Sequence, residues 1–174
     1  MQRRFVIEAV MLAIYGQLVV PGRQVEYVIP YSTVLELYDL LEGEEPLMMD
    51  KRDDAHARKK VGELIQYFEE PFHRKKLERI FVAPWKKSSP FLINDHVTLT
   101  IVNAIDQAQY GEAFDPVETE LLLTAVRENC PLLTDQLEFQ DKVIEAAIPV
   151  HLYDIEDFEY ALEDDAAREE MDMT

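Results

Sequence analysis

Four carboxylates in this chain stand where acid-based chemistry would need them: Glu8, Glu36, Glu118 and Asp135. Glu8 lies in residues 4–12, a run rich in Val, Ile, Phe and Met that predicts a buried strand running into a short helix over residues 12–18. A lone carboxylate in a buried strand is costly unless it is paired or bound to a cation. Glu36 falls in the first turns of a helix that follows the second predicted strand, and Glu118 in the first turn of a helix opened by Asp115-Pro116. Asp135 directly follows the fourth strand, beside Thr134. Carboxylates that converge on one crevice repel each other, and a hard divalent cation relieves the repulsion. Glu36, Glu118 and Asp135 also have a plain structural reading, because a helix N-terminus favours a negative side chain whatever the function. No helix cap explains Glu8.

The elements that must position these acids follow from hydrophobic periodicity and turn residues. Strands are predicted over residues 4–12, 25–29, 80–82, 131–134 and 149–153, and helices over residues 34–41, 53–69, 73–79, 94–109, 116–129, 136–147 and from Ile155 onward. Pro21-Gly22 is a turn signal, Gly43 to Asp50 a loop, and Pro71 a helix breaker. Short strands alternating with helices read as an α/β domain with a mainly parallel sheet of about five strands. Ligands of such sheets sit at the carboxyl ends of the strands.

The chain has 174 residues, 48% of them hydrophobic, which suffices for one domain with its own core. That domain is expected over residues 1–162, followed by an acidic tail over residues 163–174. The single cysteine, Cys130, excludes an intrachain disulfide and reads as a buried structural thiol. His56, His73, His96 and His151 show no metal-ligand spacing. Glu8 interrupts the apolar N-terminal run, no cleavage pattern precedes Pro21, and no stretch is long enough to span a membrane. A soluble, cytoplasmic protein is expected.

Net charge is −18, from 35 acids and 17 bases, which by itself argues against binding a polyanion. The distribution says otherwise. Residues 51–87 hold 11 of the 17 bases against six acids, a local charge of +5, with Phe72 and Trp85 available for stacking. From Asp154 onward there are ten acids and one base. The basic segment is a candidate phosphate track, or else a solvated helix face. The acidic terminus is a solubilising helix, or else an internal mimic of a polyanion that covers the track.

Four segments, in order, resemble the PIN-domain nuclease family. Phe5-Val-Ile-Glu-Ala-Val-Met-Leu12 resembles the family's opening strand and its Asp-Thr-Asn-Val-Leu, with Glu8 at the Asp. Val28-Ile-Pro-Tyr-Ser-Thr-Val-Leu-Glu-Leu37 resembles the second strand, Pro and helix, with Glu36 at the family's acid. Glu118-Thr-Glu-Leu-Leu-Leu-Thr-Ala125 resembles Asp-Ala-Leu-Ile-Leu-Ala-Thr-Ala, with Glu118 at the third acid. Pro131-Leu-Leu-Thr-Asp-Gln-Leu-Glu-Phe139, then Ala147-Ile-Pro-Val150 and Asp157-Phe158, resembles the fourth strand, its acidic turn and the closing strand and helix.

The resemblance runs over residues 4–162 and rests on order and spacing, not on any one motif. It implies a PIN-like three-layer fold and a metal-dependent ribonuclease, with Glu8, Glu36, Glu118 and Asp135 as catalytic acids and ligands of Mg²⁺ or Mn²⁺. RNA would be contacted through residues 51–87 and cleaved to leave a 3′-hydroxyl and a 5′-phosphate. The chain departs from the family pattern at several points. Glu replaces Asp at Glu8 and Glu118, Ala9 and Val10 replace a small hydroxyl and an Asn, and Gln136 stands at the acid of the Thr-x-Asp turn, with Asp135 one residue early. Those departures keep a second reading open: a PIN-like domain without catalysis, binding RNA or protein. A toxin-type component with a protein inhibitor, or a homodimer, completes the set of expectations.

Overall fold

The computed structural model describes residues 2–105 and 111–174. Six strands form one sheet: β1 (Arg3–Ile7), β2 (Val25–Pro30), β3 (Phe91–Leu92), β4 (Val97–Val102), β5 (Leu132–Leu133) and β6 (Leu152–Tyr153). Their order is β3-β4-β2-β1-β5-β6, parallel throughout except for the β3–β4 pair. Among the described residues eight α-helices accompany them: α1 (Ala9–Ile14), α2 (Gly16–Val19), α3 (Tyr31–Glu42), α4 (Lys51–Glu69), α5 (Pro71–Glu78), α6 (Pro116–Glu128), α7 (Leu137–Glu145) and α8 (Ile155–Asp172). The chain is therefore an α/β protein with a mostly parallel sheet flanked by helices, compatible with three layers.

Side-chain alternation along β1 shows how the layers form. Phe5 and Ile7 enter a core with Leu12, Leu37, Val61 and Ile65, contributed by α1, α3 and α4. Val6 points the other way, into a core with Leu122 and Ala125 of α6 and Phe139 and Val143 of α7. A strand buried on both faces reads as a continuous apolar run, as Phe5-Val6-Ile7 does. From β1 the chain proceeds outward through β2 to β4, then returns to place β5 on the other side of β1. The direction of winding thus reverses at β1, and the crevice beside its carboxyl end is the expected ligand site of such a sheet.

Three local expectations are corrected. Residues 80–82 form no strand; Arg79–Val82 is a 3₁₀ turn continuing α5, with Ile80 buried and Phe81 and Val82 exposed. The helix expected over residues 94–109 is instead β4 across Val97–Val102, paired with β2 along its whole length. Val97, Ile101 and Ala104 fit a helical stripe, but Val97, Thr98, Thr100, Ile101 and Val102 are β-branched and stiff, and sheet burial decides between the two. Residues 106–109 of that span lie outside the described residues. The first strand also ends earlier than its apolar run, at Ile7, so helix begins at Ala9 and Glu8 is the junction between them.

Helix α8 passes residue 162 without interruption and runs to Asp172. Arg3 donates to both carboxylate oxygens of Asp165 (2.7 and 3.0 Å), and Arg23 pairs with Glu169 at 2.5 Å. The acidic terminus is fastened beside the amino ends of β1 and β2. Among the described residues no helix is long and apolar enough to cross a membrane.

Candidate acidic active site

A crevice of about 530 Å³ opens at the carboxyl ends of the central strands, and Glu8, Glu36, Glu118 and Gln136 line it together with Asp39 and Asp115. Each reaches it for a local reason. Ile7 ends β1, and Glu8 follows as the N-cap residue of α1, though its side chain makes no capping bond. Pro30 closes β2 and starts α3, and the second turn of that helix carries Glu36 with Asp39 one turn on. Asp115 caps α6 in a reciprocal box: its Oδ1 accepts from the Glu118 N–H at 2.7 Å, while Glu118 Oε1 accepts from the Asp115 N–H at 3.1 Å. Gln136 follows β5 and precedes α7.

A fourth wall is the loop after α3, where Glu44 and Glu45 border the crevice. Arg58 of α4 holds this loop by donating to the carbonyls of Leu40, Leu41, Gly43 and Glu45 and to Asp54. Asp54 in turn accepts the backbone N–H groups of Leu47 and Met48. One base of the +5 segment is thus a clamp for the acidic rim.

Glu8 is the most constrained acid. It is only 7% exposed, and its Oε2 accepts a hydrogen bond from the Gln136 amide at 2.7 Å. Among the described residues its buried Oε1 has no hydrogen-bond partner. Burial pushes its carboxyl up to about 7; the Thr134 hydroxyl opposes this, and the charges of Glu36, Glu118 and Asp135 add to it. Glu36 is raised as well, first by burial and then by Asp115, Asp39 and Glu118. Glu118 differs: Lys142 of α7 donates to its Oε1 at 3.0 Å and to the Ala113 carbonyl at 2.9 Å.

Asp135 does not line the crevice. Its Oδ2 accepts from the Tyr15 hydroxyl and its Oδ1 from the Ile155 N–H, so both oxygens tie the end of β5 to α1 and α8. That hydrogen bond and charge, with burial, push the Tyr15 phenol up to about 12. The residue facing Glu8 is Gln136, one position later. Burial also pushes the Cys130 thiol up to about 11, which removes it as a nucleophile near neutral pH.

No protein-family model matches the chain, and no curated protein matches it either. The site therefore stands on its own geometry. Among the described residues no three His, Cys, Asp or Glu side chains are gathered closely enough to hold a metal ion as they stand. The donor set divides on inspection. Among the described residues Glu8 has an oxygen without a hydrogen-bond partner and Glu36 forms no ion pair, while Glu118 is shared with Lys142 and Asp135 is committed elsewhere. Asp39, Asp115, Glu44, Glu45 and Lys142 went unremarked as site residues in the sequence. Asp39 and Asp115 had a signal there, Asp39 three residues from Glu36 on the same helix face and Asp115 at the cap three residues before Glu118.

Proposed function

We propose that this chain is a PIN-like, divalent-cation-dependent ribonuclease whose cation site is built from Glu8, Glu36 and Glu118. The observation that carries the reading is the buried Oε1 of Glu8, without a hydrogen-bond partner among the described residues, in a crevice where burial and then neighbouring acids raise the pKa of Glu8 and Glu36. Leaving such an oxygen unpaired costs stability, and a cation or a proton is what would relieve it. A hard cation takes oxygen ligands, which Glu8 and Glu36 would supply, with Glu118 joining them once Lys142 swings aside. Bound there, Mg²⁺ or Mn²⁺ supplies Lewis acidity, acidifying a water and offsetting the charge of the attacked phosphodiester.

The chain's own residues do the rest. The Gln136 amide fixes one oxygen of Glu8 and leaves the other for the ligand. The Asp115 box fixes the first turn of α6 and with it the backbone position of Glu118. Arg58 holds the acidic rim against α4. Hydrolysis of single-stranded RNA with Mn²⁺ tests the reading, with Glu8→Gln and Glu36→Gln as controls; activity surviving both substitutions overturns it.

A second reading has its own observation. Gln136 and Lys142 already supply a donor and a positive charge to Glu8 and Glu118, roles that a metal would otherwise fill. In that reading the domain binds RNA or protein without cutting. Millimolar Mn²⁺ that neither binds nor raises the melting temperature decides for it.

A further inference from the structure

On the far side of α6 from the crevice's acids lies a separate pocket of about 380 Å³, bordered by Trp85, Lys87, Arg127 and Glu128 with Val102 and Thr124 at its base. Glu118 and Arg127 are nine residues apart on one helix, so about 13 Å separates their backbones along its axis. Trp85 is held at φ 63°, in the left-handed region where a bulky side chain is an outlier. Strain of this kind persists only where its surroundings over-determine it. Here the Trp85 N–H donates to the Asn103 carbonyl (2.8 Å), the Asn103 N–H to the Lys86 carbonyl (2.9 Å) and the Asn103 amide to the Ala83 carbonyl (2.9 Å). The loop is fastened to the end of β4 so that a half-buried indole faces α6.

The Arg127 guanidinium stands over that indole, 4.2 Å from the ring centroid. Glu128 is neutralised from two sides, by Arg4 at 3.3 Å and Lys87 at 3.2 Å, whereas Arg127 pairs with no acid among the described residues. The pocket thus offers a guanidinium–indole pair with an exposed Arg127 on its outer side, a cation that has no acid partner among the described residues. Flat rings stack on aromatic faces and guanidinium planes, and a free guanidinium is a ready phosphate partner.

We infer that this pocket is a nucleotide subsite, taking one base of a single-stranded RNA by stacking on the outer side of the Trp85–Arg127 pair while the guanidinium edge meets its phosphate. The inference deepens the ribonuclease reading and rests on it for the identity of the strand.

Trp85 is the chain's one tryptophan, so its fluorescence reports on this pocket alone. A short single-stranded oligoadenylate, titrated in EDTA at low salt, should quench it saturably. Trp85→Ala and Arg127→Gln should each weaken binding of a fluorescein-labelled strand, read by anisotropy, with about a 5- to 150-fold loss for the aromatic. Circular dichroism shows whether each variant folds; should Trp85→Ala fail, Trp85→Phe keeps a ring and should lose less than Arg127→Gln. AMP competing with the strand supports a base-sized site. Unchanged affinity in folded variants, or a strand that binds without altering Trp85 fluorescence, overturns the inference, as does competition by oligoglutamate where AMP does not compete. EDTA separates this from the crevice: quenching without Mn²⁺-dependent cleavage sinks the nuclease alone, and cleavage with Trp85 silent sinks the subsite alone.

Discussion

The two ends of the central strands treat charge in opposite ways. At the amino end, Arg3 holds Asp165, Arg4 holds Glu26 and Glu128, and Arg23 holds Glu169. At the carboxyl end, neither Glu8 nor Glu36 forms an ion pair among the described residues, and Glu118 has Lys142 as its partner. Both ends are rich in acids, yet Asp165 and Glu169 fasten the α8 helix to the sheet, while Glu8 and Glu36 sit in a crevice where their pKa values are raised. Paired carboxylates serve the fold. Carboxylates kept buried without bases oppose it, and such strain is characteristic of sites kept for a ligand.

The comparison can be broken by experiment, and the largest effect belongs to the crevice. If the chain cleaves RNA with Mn²⁺, Glu8→Gln should cut the rate by about 100-fold or more, while Asp165→Asn leaves it essentially unchanged. Equal losses from the two would erase the distinction.

Next in size is the pH dependence of stability. The Glu8 carboxyl titrates near 7 folded, against an ordinary value of 4.5, so between these the native state holds a proton that the unfolded chain has released. Its contribution is complete below about pH 4.5 and is lost as pH rises through about 7, a change of about 3 kcal/mol. In EDTA, chemical denaturation of Glu8→Gln should show that slope removed, with the variant more stable than the parent at pH 8. Parallel curves for parent and variant would show that Glu8 is not held as described.

A divalent cation should then restore what the crevice costs. Saturating Mn²⁺ at about 100 times its dissociation constant stabilises by about 2.7 kcal/mol, or about 5–10 °C for a domain of this size. Differential scanning calorimetry with and without Glu36→Gln measures this, and a shift unaffected by the substitution places the cation elsewhere. Asp135→Asn should behave as a structural change: a loss of about 1–2 kcal/mol through its bonds to Tyr15 and Ile155, with the Mn²⁺ shift intact. The smallest effect is Arg3→Ala, about 1 kcal/mol or less, because the Arg3–Asp165 pair is partly exposed and screened.

Much of the scaffold was legible because caps and periodicity agree with packing. Asp115-Pro116 opens α6 as expected, Pro71 separates α4 from α5, and the apolar stripe of Val61, Ile65 and Phe68 is the buried face of α4. Residues 97–102 misled because their apolar spacing suits a helix as well as a strand buried on both faces. Ile80-Phe81-Val82 misled because a short apolar run carries no sign of whether a sheet neighbour exists. Of the four acids, Glu8, Glu36 and Glu118 share the crevice and Asp135 does not. One residue of offset in the turn after β5 reverses which side chain faces Glu8, and only the register of β5 against β1 and β6 sets that offset.

By itself the sequence determined an α/β chain with acids at strand ends, a concentrated basic segment and an acidic terminus. Those are one-dimensional properties, fixed by residue type and spacing. Tertiary structure alone decided that Gln136 and not Asp135 meets Glu8, that Lys142 reaches Glu118, and that the acidic helix pairs with Arg3 and Arg23. It also decided that Arg127 stands over the Trp85 ring from 42 residues away. The physical reason is common to all four. A side chain's charge state and partners depend on desolvation and on neighbours brought together by packing, and neither is written in local spacing.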